Sequence, residues 1–187
     1  MRIVSGSLKG KKIFEPKDKK TRPLRDLVKE SIFNIIKHSN KFNIKIENSV
    51  VLDLFSGVGS FGLEAISRGC FKVFFVENYP DALSILKKNI KNLQVNDKIS
   101  IIEKNIYSNL SLESLNTEFD IIFLDPPFKD ENLSIIFDKI FKSKILKKNG
   151  ILVLHRNFKS NDIFSKNFNI LEQKKYGLSK IIFGNFN

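Results

Sequence analysis

The chain has one cysteine among 187 residues, which excludes an internal disulfide and any metal cluster held by several thiolates. Cys70 follows Gly69 at the mouth of an expected strand and reads as a small buried residue with no chemical role. Histidine is nearly as scarce. His38 lies near a helix end among lysines and His155 closes a strand beside Arg156, so both read as structural or solvated. No spacing of His, Cys and carboxylate suggests zinc or another metal. No apolar run reaches the roughly 18 residues of a membrane span, and Lys9, Lys11 and Lys12 arrive before a signal-peptide core could form. The expectation is a cytoplasmic protein that is neither secreted nor inserted in a membrane. A nucleophile elbow, a phosphate-binding lysine motif, internal repeats and low-complexity linkers are also missing.

Acidic residues are in deficit, 20 against 32 lysines and arginines, for a net charge of +12. That sign suits a polyphosphate partner. The chain is also rich in Lys, Asn, Ile and Phe, as an AT-rich genome would encode, so charge alone does not separate a nucleic-acid partner from a solvated surface. A hydrophobic content of 42% is enough for one substantial core and leaves little room for a second. Residues 1–40 read as a small appendage and 41–187 as the core of a single structural domain.

Apolar runs at 50–54, 71–76, 98–102, 119–124 and 150–155 alternate with helical periodicity, the pattern of an α/β, doubly wound parallel sheet. The first connecting helix carries Phe61, Leu63, Ala65 and Ile66. Pro80 opens the next, with Leu83, Leu86, Ile90 and Leu93 in one stripe. Runs at 168–171 and 180–183 flank Tyr176-Gly177 and predict a closing hairpin, for seven strands in all. Ahead of the core, residues 2–15 predict a hairpin. A helix from about Pro23 follows, with Leu24, Leu27, Val28, Ile32, Ile35 and Ile36 at helical spacing.

Two loops carry chemistry. Ser56-Gly57-Val58-Gly59-Ser60-Phe61-Gly62 follows the first strand as a glycine turn into a helix, and Glu77 ends the second strand about 20 residues later, where a carboxylate can bind ribose hydroxyls. By spacing alone this fits NAD as well as S-adenosylmethionine. Asp53, inside the first strand, and Asp125-Pro126-Pro127-Phe128, at the end of the fourth, favour the methyl donor, since a dehydrogenase needs neither. In the second loop the prolines fix φ and carry no N–H. The Asp125 carboxylate and a main-chain carbonyl can then accept from a planar NH2 group, while Phe128 stacks on its ring.

Together and in this order, the motifs resemble the RsmD family of bacterial 16S rRNA (guanine-N2)-methyltransferases. The resemblance runs through Arg2-Ile3-Val4-Ser5-Gly6 with Gly10-Lys11, and Thr21-Arg22-Pro23 leading into Lys29-Glu30-Ser31-Ile32-Phe33-Asn34. It continues through Asp53 to Gly69, Val76-Glu77, and Asp125 to Phe128. Leu24 and Leu27 depart from the family's Thr and Arg. The resemblance implies a Rossmann-like class I methyltransferase of seven strands, the last antiparallel, that uses S-adenosylmethionine. It assigns catalysis to Asp125, Pro126, Pro127 and Phe128. Cofactor binding falls to Asp53, Phe55, Ser56, Gly57, Gly59, Glu77 and Asn78, with Asn105 and Ile106 in the segment that cradles adenine. Asn105 stands where related enzymes often have an acid. Arg2, Lys9, Lys11, Arg22, Arg25 and Lys29 become candidate RNA contacts. The implied partner is 16S rRNA, in a 30S subunit or an assembly intermediate, met by a monomer. A nicotinamide-dependent oxidoreductase and a non-catalytic RNA-binding protein are the rival readings. Adenine N6 and protein glutamine are alternative acceptors.

Overall fold

The computed structural model describes residues 1–16 and 24–187. Seven strands form one sheet in the order β3-β2-β1-β4-β5-β7-β6. They are β1 Val50–Leu54, β2 Lys72–Val76, β3 Ile99–Ile102, β4 Phe119–Leu124, β5 Leu146–Asn157, β6 Phe168–Tyr176 and β7 Ser179–Phe186. Neighbours β1 to β5 are parallel, and β7 runs antiparallel to both β5 and β6. The helices are α1 Asp26–His38, α2 Ser60–Ser67, α3 Pro80–Leu93 and α4 Leu133–Ser143.

The alternating side chains of β1 and β4 face two apolar layers. Val51, Ile121 and Phe123 pack with α1, α2 and α3 on one face, while Leu52, Leu54, Ile122 and Leu124 pack with α4 on the other. Both faces are covered, which is why these strands read as continuous apolar runs. The chain order reverses between β1 and β4. A crevice therefore opens beyond their carboxyl ends, where open α/β sheets hold ligands.

Three expectations change. β5 begins at Leu146, ahead of the expected 150, because Leu146 pairs with Phe119 before the ladder resumes at Ile151 opposite Ile121; Lys147 to Gly150 fill the register shift between them. β6 continues through Glu172, Gln173, Lys174 and Lys175, a polar stretch at a sheet edge where ladder hydrogen bonds need no apolar face. Residues 2–15 close as a hairpin shorter than expected, with the bridge Arg2–Lys12 and 2.9 Å backbone bonds from Ile3 to Lys11, Gly10 to Ile3 and Ile13 to Met1. Other amides of the segment turn to polar side chains: Val4 and Ser5 donate to Glu64 at 2.8 and 2.9 Å, Leu8 to Ser67 Oγ at 2.9 Å and Phe14 to Asn89 Oδ1 at 2.7 Å. Ile3 and Ile13 are fully buried in the same cluster as Phe61 and Val73.

In α1, Val28, Ile32, Phe33 and Ile36 form the buried stripe. Leu27, expected in it, is 68% exposed, and Lys29 takes a core position. Cys70 is buried as expected, and burial pushes its thiol up to about 12. Among the described residues no helix is long and apolar enough to cross a membrane.

Candidate active site

A cleft of about 750 Å³ lies at the carboxyl ends of β1, β2 and β4, within the usual range for a small-molecule site. Its lining brings together Asp53, Phe55, Ser56, Gly57, Glu77, Asn78, Asn105, Ile106 and the whole of Asp125 to Phe128. Gly59, expected among the ligand contacts, does not line it. With φ +85° it turns the chain into α2, and a Cβ there would lie 2.5 Å from Leu86. Gly62 is a packing residue as well, since a Cβ would meet the Phe75 ring at 2.3 Å.

Glu77 fastens the first loop to the second strand. Its Oε2 accepts from the Gly57 amide at 2.7 Å and its Oε1 from the amides of Asn78 and Tyr79, each at 2.8 Å. A carboxylate offers about four acceptor sites; three are filled, and one on Oε2 remains for a hydroxyl. Asp53 Oδ2 accepts from the Gly62 amide at 3.0 Å. Burial raises its carboxyl well above the ordinary range. The Gly62 bond works against the rise, while the charges of Asp125 and Glu77 add to it. Asp53, Glu77, Asp125 and Asp130 thus share one cleft with Lys104 and Lys129; around the buried Asp53 the carboxylates favour a cationic ligand and disfavour a diphosphate.

The loop after β3 forms the opposite wall. Asn105 Oδ1 accepts from the Tyr107 amide at 2.7 Å, which leaves its NH2 without a partner among the described residues. From α4, Lys139 donates to the carbonyls of Ile106 and Tyr107 at 2.8 and 3.0 Å. The Tyr107 hydroxyl donates to Asp130, joining this wall to the Asp125 loop. Desolvation, then that bond and the charge of Asp130, raise the Tyr107 phenol.

The Asp125 loop is held from β5. Arg156 donates to the carbonyls of Pro127 and Asp130, each at 2.8 Å, and pairs with Asp162 at 2.8 Å. Asp125 Oδ1 lies 2.7 Å from His155 Nδ1, and Phe128 meets the His155 ring edge-on at 5.6 Å. His155, read from the sequence as structural or solvated, belongs to the site. So do Arg156 and Tyr107, to which sequence reasoning gives no role. The available signal is position, because a polar pair closing an apolar strand at the carboxyl edge of such a sheet falls beside the ligand crevice.

The candidate RNA contacts divide. Arg2, Lys9, Lys11 and Arg25 are exposed, and Arg22 lies outside the described residues. Lys29 is a correction: it is fully buried, donates to the Arg2 carbonyl at 2.9 Å and sits 3.6 Å from Glu64, so no phosphate can reach it.

Over residues 1–185 the sequence matches the family described as Conserved hypothetical protein 95. It is 36% identical over 137 residues to Bacillus subtilis YlbH, whose name places it in rRNA methylation, across 73% of this chain and 71% of that one. The chain belongs to this family, the RsmD methyltransferases. Another relative, Ribosomal RNA small subunit methyltransferase D of Haemophilus influenzae, is 35% identical over 129 residues, which span 68% of this chain and 64% of that protein. Among solved structures, Escherichia coli yhhF superposes with a TM-score of 0.81 at 22% identity, across all of this chain and 98% of that one, a likeness of fold. A Haemophilus influenzae structure that bears a methylase name does so at 0.76 and 29%, with the same coverage.

Proposed function

We propose that this RsmD-family chain transfers the methyl group of S-adenosylmethionine to the exocyclic N2 of a guanine in 16S rRNA of the small subunit. One observation carries the reading: Asp125 stands in a cleft that also holds Asp53 and Glu77, so the amine-binding carboxylate and the cation-favouring wall share one space. When bound, the cofactor supplies an electrophilic methyl on a sulfonium. Its ammonium and sulfonium suit the carboxylates of Asp53, Glu77 and Asp125, where the diphosphate of NAD would meet repulsion. Glu77 Oε2 offers an acceptor to a ribose hydroxyl, and the Asn105 NH2 a donor to the adenine ring.

Asp125 Oδ1 is engaged by His155, which leaves Oδ2 for one amine proton. The Pro127 carbonyl accepts from Arg156 and from the Asp130 amide at 2.9 Å, which leaves Pro126 as the main-chain acceptor for the second. Held by both, the nitrogen directs its lone pair along the line of transfer, and no proton leaves beforehand. The guanine must be unpaired or flipped for its edge to reach Asp125, with Phe128 replacing the lost stacking. Arg2, Lys9, Lys11 and Arg25 supply phosphate contacts that position the RNA. The enzyme acts as a monomer in the cytoplasm, on a 30S subunit or an assembly intermediate.

The test is tritiated methyl transfer from S-adenosylmethionine to 30S particles and naked 16S rRNA lacking the modification, followed by nucleoside analysis. Label in N2-methylguanosine is expected. Label in N6-methyladenosine, or none in rRNA, would overturn the assignment.

A further inference from the structure

Both ring nitrogens of His155 are engaged, Nδ1 at 2.7 Å from Asp125 Oδ1 and Nε2 at 2.9 Å from Ser179 Oγ. An ionised carboxylate can only accept, so the hydrogen between His155 and Asp125 belongs to Nδ1. In a neutral ring Nε2 is then the acceptor, and the Ser179 hydroxyl is its donor. His155 and Ser179 are 6% and 5% exposed, which keeps water from competing for either bond. Ser179 opens β7 and pairs with Asn157, so the antiparallel strand delivers the hydroxyl to the end of β5.

We propose that His155, fixed by Ser179, is a positioning residue for methyl transfer that holds the Asp125 carboxylate plane with Oδ2 toward the incoming amine. The proposal rests on the methyltransferase reading above. A carboxylate at a strand end rotates broadly about its last torsion. Asp125 is 20% exposed at its side chain, so without a protein donor water would take Oδ1 and leave the plane unfixed. With Nδ1–H on Oδ1 and the ring wedged by Phe128, one acceptor direction remains, and orientation of a reacting group is a large part of catalysis by positioning.

Nitrogen-15 spectra of the whole chain read the ring directly. A hydrogen on Nδ1 is expected in the wild type, relaxing to a mixture of tautomers in Asp125→Ala; a wild-type ring that carries its hydrogen on Nε2 alone would overturn the proposal. His155→Leu should slow single-turnover methyl transfer by about ten- to a hundredfold, the worth of one hydrogen bond to a charged group, with S-adenosylmethionine affinity retained. His155→Asn places an amide donor where Nδ1 stood and should recover most of that loss. A folded His155→Leu at the wild-type rate, or an Asn variant no faster than Leu, would reduce His155 to a packing residue and sink the idea. Should the wild type methylate no RNA, the functional reading fails by itself, while the spectra still decide the His155–Asp125 arrangement.

Discussion

The Gly57 amide donates to Glu77 Oε2 at 2.7 Å, so the turn after β1 and the end of β2 are joined through the carboxylate proposed to hold ribose. Glu77→Ala should weaken S-adenosylmethionine binding by about 1 to 3 kcal/mol. The loss also includes loop order, because the amides of Gly57, Asn78 and Tyr79 lose their acceptor. Calorimetry on the folded variant checks this, and an unchanged dissociation constant would remove Glu77 from the cofactor site.

Asp125→Ala should leave cofactor affinity within a few-fold yet slow single-turnover transfer by at least about a hundredfold, since the carboxylate is proposed to act on the reacting amine. Near-native turnover would make the Asp-Pro-Pro-Phe turn structural.

Asp53 predicts opposite effects on stability and binding. Its folded carboxyl titrates well above the unfolded value of 3.8, so the folded state holds that proton more tightly. Carrying the Asp53 carboxyl into the ligand-free fold therefore costs stability as pH rises from 3.8 through the raised folded value, and the penalty fades as pH falls back toward 3.8. Asp53→Asn, which keeps an acceptor for Gly62, should raise the melting temperature of the ligand-free protein at pH 7. The advantage over wild type should shrink in acid, and affinity for the cationic methyl donor should fall. A variant that melts below wild type at pH 7 would contradict the account.

Lys29 and Glu64 are both fully buried, 3.6 Å apart. Lys29→Ala removes one of the two cations beside Glu64, leaving Arg68 at 2.9 Å, and empties a core position, so it should destabilise the fold by about 2 to 5 kcal/mol, read as a lower midpoint in urea. A variant of native stability with weakened RNA binding would restore Lys29 as an RNA contact.

Neutralising Arg2, Lys9, Lys11 and Arg25 together should leave S-adenosylmethionine binding intact and weaken binding to rRNA or 30S particles. For each phosphate no longer gripped, the salt dependence of log K should flatten by just under about one unit. Parallel slopes and equal affinities would make this surface a structural cap.

β1 and β4 are legible in the sequence to the residue because each is covered on both faces and bounded by polar loops. The glycine turn after β1 and the Asp125 turn are legible through local chemistry, glycines and prolines whose backbone restrictions act within a few residues. The start of β5 is not, because Lys147 to Gly150 fill a register shift between the pairs Leu146–Phe119 and Ile151–Ile121, which no local pattern marks. Lys29 hides within a run of basic residues, although its spacing from Ile32, Phe33 and Ile36 puts it on the buried face of α1. What that spacing does not reveal is Glu64, the distant partner that makes the burial tolerable. His155 is hidden for the same reason, since its meaning comes from Asp125 and Ser179, one on a neighbouring parallel strand's end and the other on the antiparallel return.

Glu64 and Ser67 bind residues 4 to 8 onto the helix that follows the glycine turn, and a Cβ on Gly6 would stand 1.9 Å from the Ser67 carbonyl. That arm and the cofactor wall therefore share one helix as their common support. An RNA docked on the arm would meet the cleft at a set distance and angle, like stock held against the fence of a cutting table. Which nucleotide is offered to Asp125 would then follow from the contour of the folded RNA between its points of contact, with the bases along that path unread.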